Sequence, residues 1–115
     1  MHELSVCMSL LEQVAAIAQE RAATNVTRIE LNIGPLSGVE AELLRNAYPI
    51  AAAGTVAENA ELIIHGAEIV VSCSQCGAES SAVANRLICG ECGDFRTRVV
   101  SGDEMILKSL ELDFV

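Results

Sequence analysis

The chain has 115 residues, about the length of a single domain, and carries a formal net charge of −9 from 16 acidic and 7 basic residues. A chain this acidic repels a phosphate backbone unless its cations are concentrated, and acidic residues flank its closest basic pair, Arg96 and Arg98, so no nucleic acid partner is expected. No apolar run approaches the roughly 20 residues of a membrane span, so no membrane partner is expected either.

The first predicted elements are a helix and a strand. Across residues 4–23 apolar side chains recur at helical spacing, while polar side chains such as Gln13 and Glu20 fall largely on other faces. This pattern predicts an amphipathic helix. Residues 26–33 alternate between apolar and polar side chains and predict a half-buried strand, which Gly34-Pro35 should end.

A second helix is predicted to follow Ser37. Ser37 and Glu40 have the spacing of a capping box, in which each side chain bonds the backbone N–H of the other residue. Pro49 is expected to kink or end this helix because it lacks an N–H, and Gly54 is expected to terminate it.

The remaining predicted elements are strands. Residues 61–71 are rich in Ile, Val and Leu and predict one strand, with Gly66 as the site of a bulge. Residues 97–100 and 105–114 predict two further strands.

Four of the five cysteines form two CxxC pairs, Cys73 with Cys76 and Cys89 with Cys92. The chain shows no secretory signal, so we expect a cytoplasmic protein whose thiols meet a reducing environment, where disulfides rarely persist. Two CxxC turns that face each other supply four thiolates in a tetrahedron, which suits Zn²⁺. Because four protein ligands close the coordination shell, this zinc should be structural.

Two other types of cysteine site are weaker interpretations. A thioredoxin-like redox site needs one CxxC in a βαβ setting, whereas this chain has two. An iron–sulfur cluster also uses four cysteines, but the knuckle-like spacing favours zinc. Cys7, on the apolar side of the first helix, is interpreted as a small buried hydrophobic residue.

The amino-terminal residues Met1, His2 and Glu3 offer a second kind of metal site. The α-amine of Met1, the backbone nitrogen of His2 and its Nδ1 atom can close two fused chelate rings, and Glu3 can add a fourth donor. Planar nitrogen donors suit Ni(II) or Cu(II). The alternative from the residues alone is an exposed histidine ahead of a helix. The lone His65 is likewise more typical of a surface residue than of a ligand.

Several segments together resemble one known family. The start MHELS (1–5), the segment IGPLSGVE (33–40), the segment GTVAENAEL (54–62) and the two CxxC pairs occur in the same order in the HypA/HybF family of hydrogenase nickel-incorporation proteins. The similarity extends over nearly the whole chain.

The resemblance implies a nickel metallochaperone that delivers Ni(II) to the large subunit of [NiFe]-hydrogenase and works with a GTPase partner, HypB. It implies that His2 is the main nickel ligand with Met1 and Glu3 beside it. It also implies that Zn(II) is bound by the four paired cysteines, Cys73, Cys76, Cys89 and Cys92.

The fold that the resemblance implies is α+β. Two helices pack on a mixed three-stranded sheet to form a nickel domain of residues 1–70 and 104–115. A zinc-ribbon-like domain of residues 71–103 is inserted before the last strand.

Two other functions and the oligomeric state stay open. A zinc-ribbon adaptor would bind protein or nucleic acid without transferring nickel. An enzyme is a remote interpretation, because the chain has no recognisable catalytic set, phosphate loop or open metal site. The resemblance leaves a homodimer open, as well as the supply of nickel to a second enzyme such as urease.

Overall fold

The computed structural model describes residues 2–115, and Met1 lies outside the described residues. The chain divides into two compact units. The first contains the chain up to Leu31 together with Val39–His65 and Ile106–Val115, and the second contains Asn32–Gly38 and Gly66–Met105. The domain boundaries expected from the sequence stay a prediction.

The described part of the chain contains two helices and six strands. In chain order they are α1 (His2–Glu20), β1 (Asn25–Ile33), α2 (Ala41–Ala52), β2 (Glu61–Gly66), β3 (Ile69–Cys73), β4 (Glu79–Ala82), β5 (Thr97–Ser101) and β6 (Met105–Asp113). No helix of the described part of the chain combines the length and the apolar character needed to cross a bilayer.

The sheet of the first unit has the strand order β2-β1-β6. Strands β1 and β6 run in opposite directions, since bonds join Thr24 to Asp113 at one end and Thr27 to Glu111 further along. Contacts along β1 and β2 advance in the same direction, from the Arg28–Glu61 pair to the contact of Glu30 with His65, so these strands are parallel. The sheet is mixed, and the fold class predicted from the sequence is confirmed.

The core of the first unit lies between the helices and one face of this sheet. Burying each large aliphatic side chain stabilises such a core by about 2 kcal/mol. The fully buried or nearly buried side chains come mainly from α1, β1 and α2, with Ala57 from the segment after α2: Cys7, Leu10, Leu11, Val14, Ala18, Val26, Ile29, Leu31, Leu44, Ala47, Tyr48, Ala52 and Ala57. The Tyr48 hydroxyl donates to the Ala57 carbonyl oxygen over 2.8 Å, which satisfies the polar atom of the largest side chain among them.

The other face of the sheet carries rows of polar side chains. Arg28 on β1 lies between Glu61 on β2, at 3.4 Å, and Glu111 on β6, at 3.6 Å. Glu30 on β1 lies 3.3 Å from His65 Nε2 and accepts a 2.6 Å bond from the Ser109 hydroxyl. The three strands are therefore joined by side chains as well as by the backbone ladder.

Helix α2 corrects one sequence prediction and modifies another. The helix begins at Ala41 with Glu40 at the N-cap, so the capping box that starts at Ser37 is wrong. Ser37 instead lies in a turn, its N–H donating to the Gly34 carbonyl oxygen, and Gly38 has a positive φ of 81° that no helix residue adopts. Pro49 does not end the helix, which continues to Ala52 before Gly54, at φ 76°, terminates it as predicted.

The second unit is built on a sheet with strand order β4-β3-β5. Strand β3 pairs antiparallel with β4, with Ser72 opposite Glu79, and antiparallel with β5, with Cys73 opposite Thr97. The prediction of one strand over residues 61–71 is wrong. These residues belong to two sheets, because the chain passes from one unit to the other after His65.

Two glycines allow a close backbone crossing within the second unit. A Cβ atom on Gly34 would lie 2.1 Å from the carbonyl oxygen of Gly102. A Cβ atom on Gly102, whose φ is 107°, would lie 2.8 Å from the Cα of Ile69. The Gly34 N–H donates to the Glu104 carbonyl oxygen and the Leu36 N–H to that of Gly102, each over 2.8 Å. Only glycine fits where these segments meet.

Candidate metal centre

The first CxxC pair forms a tight turn at the end of β3. The Cys73 sulfur accepts the backbone N–H groups of Gln75 and Cys76, each at 3.4 Å, and the Cys73 carbonyl oxygen accepts the N–H of Gly77 at 3.0 Å. Gly77 has a φ of 77°, which turns the chain back toward Ala78. We call this turn, residues 73–77, knuckle 1.

The second CxxC pair repeats the same pattern 16 residues later. The Cys89 sulfur accepts the N–H groups of Glu91 and Cys92 at 3.3 and 3.4 Å, and its carbonyl oxygen accepts the N–H of Gly93, whose φ is 76°. We call residues 89–93 knuckle 2. A glycine directly after each CxxC is the sequence signal that identifies both turns.

The two knuckles bring their four sulfur atoms together. All four Sγ atoms lie within 4.8 Å of one another, and cross-knuckle contacts of 3.6 Å and 3.5 Å join Cys73 to Cys92 and Cys76 to Cys89. A tetrahedron with metal–sulfur bonds of ~2.3 Å has edges of about 3.8 Å. The side chains are therefore placed for a single tetrahedral ion. Among residues 2–115 this is the one group of three or more such ligands found close enough to hold a metal.

Backbone N–H groups lower the pKa of one cysteine in each knuckle and so favour its thiolate form. The N–H groups of Cys92 and Glu91 lower the pKa of Cys89 to about 6, and those of Cys76 and Gln75 lower the pKa of Cys73. For the second cysteine of each knuckle, one backbone N–H acts in the same direction but is outweighed. Contact with the neighbouring thiols and burial raise the pKa of Cys76 and raise that of Cys92 to about 12. A dication at the centre favours the thiolate form of all four.

Side chains from neighbouring strands fix the knuckles. The Ser80 hydroxyl accepts the Gly90 N–H over 2.8 Å, and a Cβ atom on Gly90 would lie 3.2 Å from the Ser80 side chain. The Thr97 hydroxyl donates to the Leu87 carbonyl oxygen over 2.6 Å. The sequence did not indicate these two hydroxyls. Ser80 lies on β4, which is polar and shows no strand pattern, and Thr97 lies on a predicted strand but bonds Leu87, ten residues away.

An ion pair between Arg96 and Asp94 follows knuckle 2 in the chain. The Arg96 guanidinium donates to both carboxylate oxygens of Asp94, at 3.0 and 2.9 Å, and these bonds lower the pKa of Asp94 to about 2. Cys89 and Asp94 are further joined by a backbone bond of 2.9 Å from the Cys89 N–H.

The predicted nickel residues lie in a different unit, at the start of α1. His2 is exposed and Glu3 is half-buried in the first turn, and the predicted ligand Met1 lies outside the described residues. The Glu3 carboxylate accepts the N–H of Glu40, the N-cap residue of α2, at 3.5 Å. His2 and Glu3 also line a cavity of about 350 Å³ together with Leu43, Ile50 and other residues of the two helices.

The two remaining residues considered from the sequence take structural positions. Cys7 is fully buried in the first unit, where burial raises its pKa and its thiol faces the Leu44 carbonyl oxygen at 3.6 Å. The prediction that Cys7 is a small buried hydrophobic residue is confirmed. His65 is half-buried beside Glu30 and lies in a side-chain row rather than in a ligand cluster.

Comparison with known proteins gives a match to one family over residues 1–112. The matching family model is described as hydrogenase/urease nickel incorporation, metallochaperone. The chain belongs to the HypA family. The predicted resemblance is thereby confirmed.

Individual HypA relatives match at full length. A protein of Nitrosospira multiformis named hydrogenase maturation factor HypA is 49% identical over 112 residues, which are 97% of each chain. The protein of the same name from Aquifex aeolicus is 43% identical over 113 residues, which are 98% of each chain.

Two solved structures resemble the fold. The solution structure of a HypA protein has a TM-score of 0.74 at 27% identity and covers 97% of this chain and 96% of its own. The solution structure of the Ni metallochaperone HypA from Helicobacter pylori has a TM-score of 0.72 at 24% identity and covers 98% of each chain. This second likeness supports the fold alone.

Proposed function

We propose that this chain is a nickel metallochaperone with two different metal sites. It takes up Ni(II) at its amino terminus through His2, with the Met1 amine and Glu3 beside it, and its four paired cysteines hold a structural Zn(II). It catalyses no reaction of its own. It acts in the cytoplasm and delivers nickel to the large subunit of [NiFe]-hydrogenase together with the GTPase HypB. Membership of a nickel-incorporation family supports this role.

The observation that carries the nickel proposal is the position of His2 at the start of a helix. The first four N–H groups of an α-helix have no partner within the helix. The backbone nitrogens of His2 and Glu3 belong to this set, because α1 begins at His2. They can therefore become metal ligands without breaking a helix hydrogen bond. A histidine in the middle of a helix does not have this freedom.

The remaining donors complete a planar set. The exposed imidazole of His2 supplies Nδ1, and the Met1 amine precedes its backbone nitrogen in sequence. Nitrogen donors in a plane suit Ni(II), whereas Zn(II) prefers a tetrahedron. The Glu3 carboxylate, which the Glu40 N–H contacts at only 3.5 Å, is held weakly enough to turn toward an ion.

The zinc assignment rests on the sulfur geometry. Four thiolates around one point suit a soft ion, and edges of 3.5 and 3.6 Å are close to those of a zinc–sulfur tetrahedron. An iron–sulfur cluster places several iron atoms between its ligands and needs wider spacing than these contacts give. Because all four positions are taken by protein, the ion has no site for water or substrate and serves the fold.

The hydrogenase is proposed as the recipient because the relatives from Nitrosospira multiformis and Aquifex aeolicus are named hydrogenase maturation factors. A carrier must also release its cargo. Donors at a chain end can be replaced one at a time by those of an acceptor. Metal ligands must be deprotonated to bind, so nickel affinity should fall in acid.

The test is metal analysis of untagged protein that starts at Met1, with and without added nickel. We compare the wild type with His2→Ala and with His65→Ala, which removes the other histidine of the chain. We expect about one nickel per chain in the wild type and in His65→Ala, none in His2→Ala, and one zinc in all three.

Retention of wild-type nickel affinity by His2→Ala would contradict the proposed nickel site. A wild type that takes up zinc alone would instead favour the adaptor function, in which the chain joins other macromolecules without carrying nickel.

A further inference from the structure

The four thiols of the metal centre make two contacts that cross between the knuckles. Cys73 Sγ lies 3.6 Å from Cys92 Sγ, and Cys76 Sγ lies 3.5 Å from Cys89 Sγ. Each contact joins the first cysteine of one knuckle to the second cysteine of the other. Each also joins a buried residue to an exposed one, because Cys73 and Cys89 are buried while Cys76 and Cys92 are exposed.

The buried sulfurs are held in place by the backbone. Cys73 Sγ accepts two N–H groups of knuckle 1, and Cys89 Sγ accepts two of knuckle 2. These bonds keep each buried sulfur on its own turn, in contact with the exposed sulfur of the opposite turn. Each buried thiol is therefore positioned to react across the centre.

We propose that a hydroperoxide converts this centre into two crossed disulfides, Cys73–Cys92 and Cys76–Cys89, and thereby releases the bound metal. The identity of the released metal as zinc rests on the function proposed above. The pairing rests on the thiol contacts alone.

The chemistry takes two steps at each pair. The exposed thiolate attacks one oxygen of hydrogen peroxide, the O–O bond breaks, and a sulfenic acid and hydroxide form. The buried thiolate then attacks the sulfenic sulfur, an S–S bond forms, and a second hydroxide leaves. Both hydroxides take up protons to give water. Each pair loses two electrons and each peroxide gains two, so two peroxides oxidise all four thiols. Disulfide sulfurs carry no charge, so the zinc leaves as Zn²⁺.

The crossed pairing has a structural consequence. Either crossed bond ties knuckle 1 to knuckle 2, as the metal does, so the second unit keeps a link between its two turns after the ion has gone. Bonds within each CxxC would leave the two turns unconnected. The crossed form is therefore expected to be compact and to take up zinc again once a dithiol has reduced it.

The test uses the full-length, zinc-loaded protein and two equivalents of hydrogen peroxide per chain. A chromogenic chelator measures the released zinc, iodoacetamide blocks the remaining thiols, and trypsin digests the protein without reduction. Trypsin cuts after Arg86, so Cys73 and Cys76 fall in residues 46–86 and Cys89 and Cys92 in residues 87–96. Tandem mass spectrometry then assigns each bond.

We expect one zinc released per chain and the two peptides joined by the Cys73–Cys92 and Cys76–Cys89 bonds. The buried Cys7 provides an internal control, since it should stay reduced and react with iodoacetamide only after denaturation. Three results would overturn the proposal: separate peptides that each contain their own disulfide, peptides joined through Cys73 and Cys89, and zinc that stays bound to unmodified thiols.

The same mapping on reduced, metal-free protein separates the two proposals. If purified protein contains no zinc, the zinc assignment fails, while crossed bonds in the metal-free sample still support the pairing. If zinc is present but the bonds form within each CxxC, the zinc assignment stands and the pairing fails.

Discussion

The two candidate metal sites differ in how closely the structure gathers their donor atoms. The four cysteine sulfurs lie within 4.8 Å of one another, on turns that their own backbone bonds fix. At the start of α1 the donors are an exposed imidazole, N–H groups that have no partner within the helix, and the Glu3 carboxylate, which contacts the N-cap residue of α2. A closed, prepared set suits an ion that stays, and an open set suits an ion that is passed on.

The largest expected effect is on the prepared site. Cys89→Ser removes one of the four sulfurs and should abolish zinc binding. Structural zinc sites contribute on the order of 10–16 kcal/mol in small peptides, more than a unit of this size retains otherwise, so the second unit should unfold. Zinc analysis and amide NMR spectra of residues 66–105 measure both effects.

The control for this substitution is Cys7→Ala, which removes a thiol from the first unit and should leave zinc in place. A Cys89→Ser protein with one zinc per chain and unchanged spectra would show that the ion does not depend on this set of sulfurs.

The second effect tests the second unit without touching a ligand. Gly34→Ala places a Cβ atom 2.1 Å from the Gly102 carbonyl oxygen, so the crossing must open. We expect a loss of about 3 kcal/mol in the free energy of unfolding, measured in urea, with nickel uptake at His2 unchanged.

Gly66→Ala is the matched control, because no atom beyond its two chain neighbours lies within 4 Å of its Cβ position. It should change the free energy of unfolding by less than about 1 kcal/mol. Equal stability of the two variants would mean that the close crossing is absent in solution.

The third effect concerns the open site. Two residues added before Met1 block its amine from forming the first chelate ring, so nickel affinity should fall at least about tenfold, or 1.4 kcal/mol. Isothermal titration with nickel measures this change, and zinc content should stay constant. The same two residues added after Val115 are the control. If both extensions bind nickel alike, Met1 is not a ligand.

The smallest expected effect is a pH dependence in the stability of the first unit, caused by Glu30. The Ser109 hydroxyl and then His65 lower the pKa of Glu30 below its ordinary value of 4.5. Its contribution to stability is therefore present above the unfolded pKa and is lost as pH falls through the folded one. Glu30→Gln should destabilise the first unit slightly at pH 7, with a difference that shrinks below pH ~4.5.

Urea unfolding at several pH values measures this difference, with Glu12→Gln on an exposed position of α1 as the control. A difference between Glu30→Gln and the wild type that does not change with pH would remove ionisation of Glu30 as its cause.

The periodicity of apolar residues predicted the helices and strands that have long, regular patterns. Helix α1 and strand β6 carry long regular patterns, and their predicted bounds differ from the structure by at most three residues. The break between β2 and β3 escaped prediction because both are rich in Ile and Val, and only tertiary pairing places them in different sheets. Strand β4 is polar and exists because β3 pairs with it.

The cysteine cluster could be predicted because its four members come in fixed, short spacings that force local turns. The paired N–H bonds to sulfur follow from the same turns. The supports from Ser80 and Thr97 come from distant strands, so no local pattern indicates them. The nickel ligands stay a prediction, and the new physical support for them is that α1 begins at His2 rather than at Leu4.

The polar rows across β2, β1 and β6 also bear on how this molecule avoids aggregation. Arg28 is shared between two carboxylates on neighbouring strands, and Glu30 between a histidine and a serine. An apolar surface that packed against this face of the sheet would desolvate these charged side chains without offering them hydrogen-bond partners. The free-energy cost of this desolvation disfavours self-association through the polar face of the sheet. Arg28 contributes to that cost on two strand pairs at once.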